Sequence, residues 1–363
     1  MRVLVGAIGA LIVLGTFSSV LRTLLVPRAT RSVLTRVLHK MVQVPLQFLA
    51  DRCRSTEARE RVLAPMAALS VVFHLVGWLA AAWLGYSMLQ IAVSGFGVGD
   101  ALRETGVAFF TLGFASSRHV KLTVLDVVAA ATGPIIIGLQ IGYLPALYSA
   151  YSRREEEVTM LQARAGSPPW GPEILARYAQ IGLTDRVGEL FRAWERWSAQ
   201  VSESHTSYVV LSRFRSPRSG DNWLISLLAV MDAAAMQLAL NPGLPQGDAR
   251  LALRAGFVCL RNIAGVWRVP FDPDPSPDTP IQLTYEEFAE AVAHITAYGY
   301  PVERTAEQAW PYFCGWRVNY EDLAYDFARL LDAVPAPWSG PRRRHTGHVA
   351  PVTPVDRTPD APR

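Results

Sequence analysis

Three stretches of this chain are apolar for long enough to cross a bilayer, and the segments that follow the first and the third are basic. Residues 3–21 form an unbroken run of apolar and small side chains, about the ~20 residues that a spanning helix requires. Only Arg2 precedes it, the run exceeds a usual secretory apolar region, and no small-x-small cleavage site precedes Arg22, so it is expected to be a retained membrane helix. A second run, residues 66–93, starts after Pro65, a residue suited to the first turn of a helix, and carries His74, Trp78, Trp83 and Tyr86. A third covers residues 122–148.

Arg and Lys in short loops set orientation. Arg22, Arg28, Arg31, Arg36, Lys40, Arg52, Arg54, Arg59 and Arg61 follow the first run, and Arg153 and Arg154 follow the third. Both segments are therefore expected in the cytoplasm, with the N-terminus and the stretch 97–119 outside. Residues 33–48 alternate apolar positions with Arg36, His39 and Lys40, a stripe that suits either the anionic inner leaflet or a packed linker helix.

Beyond the third run the pattern becomes that of a water-facing helical domain. Helices are predicted over residues 151–164, 172–180, 185–201, 221–240, 247–267, 285–297 and 303–333, with residues 208–211 the one strand candidate. Thr284 followed by Glu287 is a capping box. Residues 223–240 are nearly all apolar, yet Asp232 sits in their middle, where a carboxylate costs roughly 2.5–3.5 kcal/mol on the insertion scale. They are expected to form the buried central helix of the domain; a fourth span would move everything after it outside. The acidic connector around Asp272, Asp274 and Asp278 lacks the glycine and distant glutamate of a calcium loop.

The expected fold class is all-α: a three-span membrane domain with a re-entrant pore-like loop, plus a cytoplasmic helical domain. The parts are a first membrane helix (1–25), a basic amphipathic linker (26–62), a span–loop–span module (63–150), the helical domain (151–334) and a disordered tail (335–363). Half of the residues are hydrophobic and the mean hydropathy is +0.18, which agrees with membrane spans. The net charge of +4 is small for 363 residues and argues against nucleic acid as a partner. Cys53, Cys259 and Cys314 match no zinc or redox spacing and suit a reducing compartment.

Between the second and third runs stands Phe109-Phe110-Thr111-Leu112-Gly113-Phe114-Ala115-Ser116. An amphipathic stretch leading into Thr111, Leu112, Gly113 and Phe114 between two spans resembles the pore helix and filter of potassium channels, T-V-G-Y-G. The resemblance covers about residues 66–151. Ala115 replaces the second glycine, and Phe114 lacks the tyrosine hydroxyl. It implies potassium or another monovalent cation as the permeant ion, four copies around one path, and an inner helix that bends or lines a cavity near Gly133, Gly138, Gln140 and Gly142. Close packing is the other reading of those glycines, and a bond to a neighbouring helix the other reading of Gln140. The whole chain also resembles a group of actinobacterial ion-channel-like membrane proteins, through residues 142–155 (GYLPALYSAYSRRE) and 315–321 (GWRVNYE). A non-conducting descendant of the channel fold, acting as a membrane-anchored sensor or scaffold, is the alternative. Enzyme motifs are missing: no P-loop, no G-x-S-x-G, no H-E-x-x-H and no dinucleotide fingerprint. No cofactor is implied, membrane lipid is an expected partner, and nothing names a ligand for the cytoplasmic domain.

Overall fold

The computed structural model describes residues 1–26, 33–110 and 120–342, and every regular element in them is helical. In chain order these are α1 (Arg2–Leu24), α2 (Val33–Ala50), α3 (Thr56–Leu63), α4 (Met66–Ser94), α5 (Val98–Phe109), α6 (Val120–Ala165) and α7 (Gly171–Gln180). They continue with α8 (Val187–Ser207), α9 (Trp223–Leu240), α10 (Gly247–Trp267), α11 (Tyr285–Ala297), α12 (Ala306–Arg317) and α13 (Glu321–Leu330). The chain divides into two compact units, one of Met1–Arg52 with Val62–Ser149, the other of Cys53–Arg61 with Ala150–Arg363.

The first unit is built on backbone contact between α1 and α4. A Cβ added to Gly9 would lie 2.7 Å from the Gly85 carbonyl oxygen, and one on Gly85 would lie 3.0 Å from that of Gly9. Lipid tails are as apolar as leucine, so packing closeness and polar contacts, not burial from water, drive such association. The same pair is tied by Trp78 Nε1, which donates to Ser19 Oγ at 3.0 Å. α2 joins through His74 Nε2, 3.2 Å from the Thr35 carbonyl, and His39 Nδ1, 3.2 Å from Ser70 Oγ. His74 is thus a hydrogen-bonding contact between helices.

Among the described residues, four helical stretches are long and apolar enough to cross a membrane: Arg2–Leu24, Thr56–Ser94, Thr123–Ala165 and Trp223–Leu240. All of the last is buried, against 22% to 39% of the others. The chain is an integral membrane, multi-helical protein by this measure, and its long apolar helices support a multi-pass location.

The second unit wraps α7, α10, α12 and α13 around α9, each of whose residues is buried. Asn222 caps α9 by accepting from the amides of Leu224 and Ile225. Trp194, Trp197, Phe191, Phe288, Phe313 and Phe327 fill the surrounding core.

Several local expectations are corrected. Residues 208–211 form no strand: Tyr208 caps a 3-10 turn, Val209–Arg213, whose Leu211 carbonyl, with that of Phe214, is drawn inward to Arg154. The single helix expected over 303–333 is two, α12 and α13. Asn319 Nδ2 caps the end of α12 on the Gly315 and Trp316 carbonyls, and the break turns Tyr320 toward α9. Residues 335–342, expected in the tail, pack into the unit: Trp338 is buried, and Arg342 bonds the Ala333 and Val334 carbonyls at 2.7 Å each. Residues 53–61, expected in the linker, belong to the second unit. There Arg59 Nε donates to Asp332 Oδ2 at 2.7 Å, and Arg215 pairs with Glu60.

Gly9→Leu is expected to destabilise the first unit by about 1–3 kcal/mol, the usual cost of overpacking. Gly15→Leu, where an added Cβ meets nothing within 4 Å, should be near neutral. Unfolding of the full chain in mixed micelles checks the contrast.

Candidate functional site

The filter-like residues Thr111, Leu112, Gly113, Phe114 and Ala115 lie outside the described residues, so the candidate site is read from what flanks them. α5 has 12 residues and is therefore about 18 Å long, well short of the ~30 Å hydrocarbon core. It is amphipathic, with Ala101, Thr105, Val107 and Phe109 buried.

Three contacts hold it against α4. Trp83 Nε1 donates to the Leu102 carbonyl at 3.1 Å. Thr105 donates to Gln90 Oε1, and Gln90 Nε2 donates on to Asp126 Oδ1 of α6 at 3.2 Å. Phe109 is buried beside Tyr86, ring centroids 6.4 Å apart, and Tyr86 in turn bonds Thr132 of α6 at 2.8 Å. Asp126 of α6 thus completes a chain of side-chain amide and hydroxyl contacts.

Gly133 sits at the junction. A Cβ there would lie 2.6 Å from the Phe109 carbonyl oxygen, so α6 reaches the last turn of α5 only because residue 133 has no side chain. Gly138 and Gly142 have nothing within 4 Å of an added Cβ and make no such contact within the unit. Gln140 is 4% exposed, and among the described residues its Oε1 has no hydrogen-bond partner. Of the four inner-helix positions, then, Gly133 is brought to α5, Gln140 turns into the unit, and Gly138 and Gly142 face outward.

The second unit contains two buried arginine nodes, and they fall on the two short segments singled out in the sequence. Arg317 is fully buried: its Nε donates to Glu321 Oε1 at 2.7 Å, Nη1 pairs with Asp232, and Nη2 reaches Tyr325 Oη at 2.9 Å and the Trp338 carbonyl at 2.8 Å. Tyr320 Oη also donates to Asp232 Oδ1 at 2.8 Å, and Glu321 accepts the amides of Gln282 and Leu283. Burial lifts the Asp232 carboxyl to about 6, against the pull of Arg317 and Tyr320 in the other direction. Arg154 forms the other node. Its Nε donates to Glu155 Oε1 at 2.7 Å, and its Nη1 and Nη2 to the Leu211 and Phe214 carbonyls at 2.8 Å each.

His205 Nε2 lies 3.2 Å from Arg154 Nη1. Since a guanidinium only donates, Nε2 accepts, and Nδ1 carries the proton. Burial, and then the positive charge of Arg154, hold His205 well below its ordinary value of about 6.5. No local pattern in the sequence marks this pairing, because Arg154 lies 51 positions away along the chain.

A cavity of about 110 Å³ beside this node is lined by Arg153, Arg154, Trp197, Gln200 and Ser204. Ligand pockets usually run about 300–1,000 Å³, so it has room for a few waters and none for a metabolite. Among the described residues no group of three or more His, Cys, Asp or Glu gathers to hold a metal. No family model, no curated protein and no solved structure matches this chain.

His205 sets a pH dependence. Its neutral form is favoured by folding, so the stability it contributes is present above about 6.5 and is lost as the pH falls below that value. His205→Gln should flatten the fall in unfolding temperature of the full chain between pH 7 and pH 5 relative to wild type, followed by tryptophan fluorescence in detergent. Parallel curves would contradict the buried neutral assignment.

Proposed function

We propose that this protein is a potassium-channel-like membrane protein that assembles as a homotetramer and conducts monovalent cations with weakened selectivity. Spans α1, α4 and α6 cross the bilayer with the N-terminus outside and the second unit in the cytoplasm. α5 and the residues after it form a re-entrant loop, and α9 stays in the cytoplasmic core.

One observation carries the reading: a helix too short to span is clamped between two long apolar helices and leads directly into Thr111-Leu112-Gly113-Phe114. The carbonyl end of such a helix bears about half a negative charge, which favours a cation beside it. A filter built on Thr111 and Gly113 would replace an ion's water with backbone carbonyls from four converging copies. Ala115 would cost about 1–2 kcal/mol per copy in the left-handed conformation that glycine adopts freely. That cost falls on the outermost coordination site and weakens preference among ions. The second unit gates or anchors the pore, since its ion pairs Arg59–Asp332 and Arg215–Glu60 hold the segment that immediately precedes α4. Ala115 is also the observation that favours a second reading, a non-conducting sensor or scaffold that keeps the fold.

Flux of monovalent cations into liposomes holding the purified tetramer tests the proposal. Gly113→Ala should abolish the flux, and Ala115→Gly should sharpen potassium preference, two opposite signs from two single-methyl changes. No flux from wild type or from Ala115→Gly, with the tetramer intact, would leave the sensor or scaffold.

A further inference from the structure

α2 has three chemically distinct faces, and among the described residues only one of them is occupied by protein. Thr35, Leu38, His39 and Val42 are buried, with Leu38 seated in the notch at Gly77, where an added Cβ would meet its methyl at 2.5 Å. Opposite them Val33, Val37, Met41, Val44 and Phe48 are between 50% and 68% exposed. Their spacing places them on one continuous stripe.

Along the edge of that stripe stand Arg36 and Lys40, both exposed, and Arg52, whose guanidinium lies 3.6 Å from the Phe48 ring centroid. No acidic residue occurs before Asp51, so the whole segment through α1 and α2 carries charge of one sign. A helix with one side on protein, one apolar side open and a basic edge between apolar surface and water fits the boundary between acyl chains and headgroups. The occupant must supply both an apolar body and a negative charge.

We infer that α2 is a binding site for anionic phospholipid, with the acyl chains along Val37, Met41 and Val44 and the headgroup phosphate held by Arg36, Lys40 and Arg52. The site is independent of conduction: it requires only that the first unit lie in a bilayer. Each basic residue near an anionic leaflet is worth about fivefold in binding. Because α2 also bonds α4 through His39 and Thr35, a bound lipid would fix the helix that leads toward the pore-like module.

Native mass spectrometry of the delipidated full chain, titrated with equimolar phosphatidylglycerol and phosphatidylcholine of identical acyl chains, tests the site. Wild type should retain the anionic lipid preferentially. The double variant R36Q/K40Q, at exposed positions that leave the fold intact, should reduce that preference at least tenfold, while R186Q in the second unit should leave it unchanged. Equal retention of both lipids by wild type, or a preference that survives R36Q/K40Q, overturns the inference. So does a cross-link between two copies through Met41→Cys in membranes, which would place a second chain on the stripe.

Discussion

A carboxylate in the middle of an apolar helix needs a partner, and in this protein the need is met by Arg317. Asp232 lies within the 18 residues of α9, all of them buried, and Arg317 and Tyr320 reach it from the break between α12 and α13. Removing one partner of such a pair typically costs about 3–5 kcal/mol, because the other charge is left buried and uncompensated. The arginine also satisfies Glu321, Tyr325 and the Trp338 carbonyl, so one guanidinium draws α12, α13 and the segment at Trp338 around the central helix. Without that demand α9 would have the composition of a span. With it, α9 is buried in the core of the second unit, and a core helix leaves the residues after it on the same side as those before it.

The two units are held by different physics. In the second, aromatic burial supplies the driving force, and the two arginine nodes choose the arrangement, since an unsatisfied charge would exclude the alternatives. In the first, close backbone approach at Gly9 and Gly85 replaces the hydrophobic effect, with Trp78, His39 and His74 adding hydrogen bonds between helices. α5 combines both devices: a glycine notch at Gly133 and a relay from Thr105 through Gln90 to Asp126. This combination holds a short helix at the place where the proposed ion path begins.

Much of this was legible in the residues. Apolar run length gave α1, α4 and α6; the capping box at Thr284 and Glu287 marked the start of α11; and Asp232 marked α9 as buried. The segments around Arg154 and Arg317 stood out in the sequence, although their chemistry did not, because the partners Leu211, Phe214, Asp232 and Trp338 are distant along the chain. The break at residues 318–320, the packing of 335–342 and the membership of residues 53–61 in the second unit escaped for the same reason: each is decided by tertiary contacts and leaves no local pattern. Gly133 was read as a hinge or a packing position, and its contact with the Phe109 carbonyl favours packing. The filter-like residues rest on their sequence and on the geometry of α5 beside them.

The account turns on α9 being a core helix and not a span, and sidedness measures that directly. Ser219→Cys and Pro245→Cys place single thiols at exposed positions just before and just after α9, in a chain whose three native cysteines are replaced. A membrane-impermeant maleimide applied to spheroplasts and to inverted vesicles should label both from the same side, that of Arg153. Labelling of the two positions from opposite sides would contradict the account.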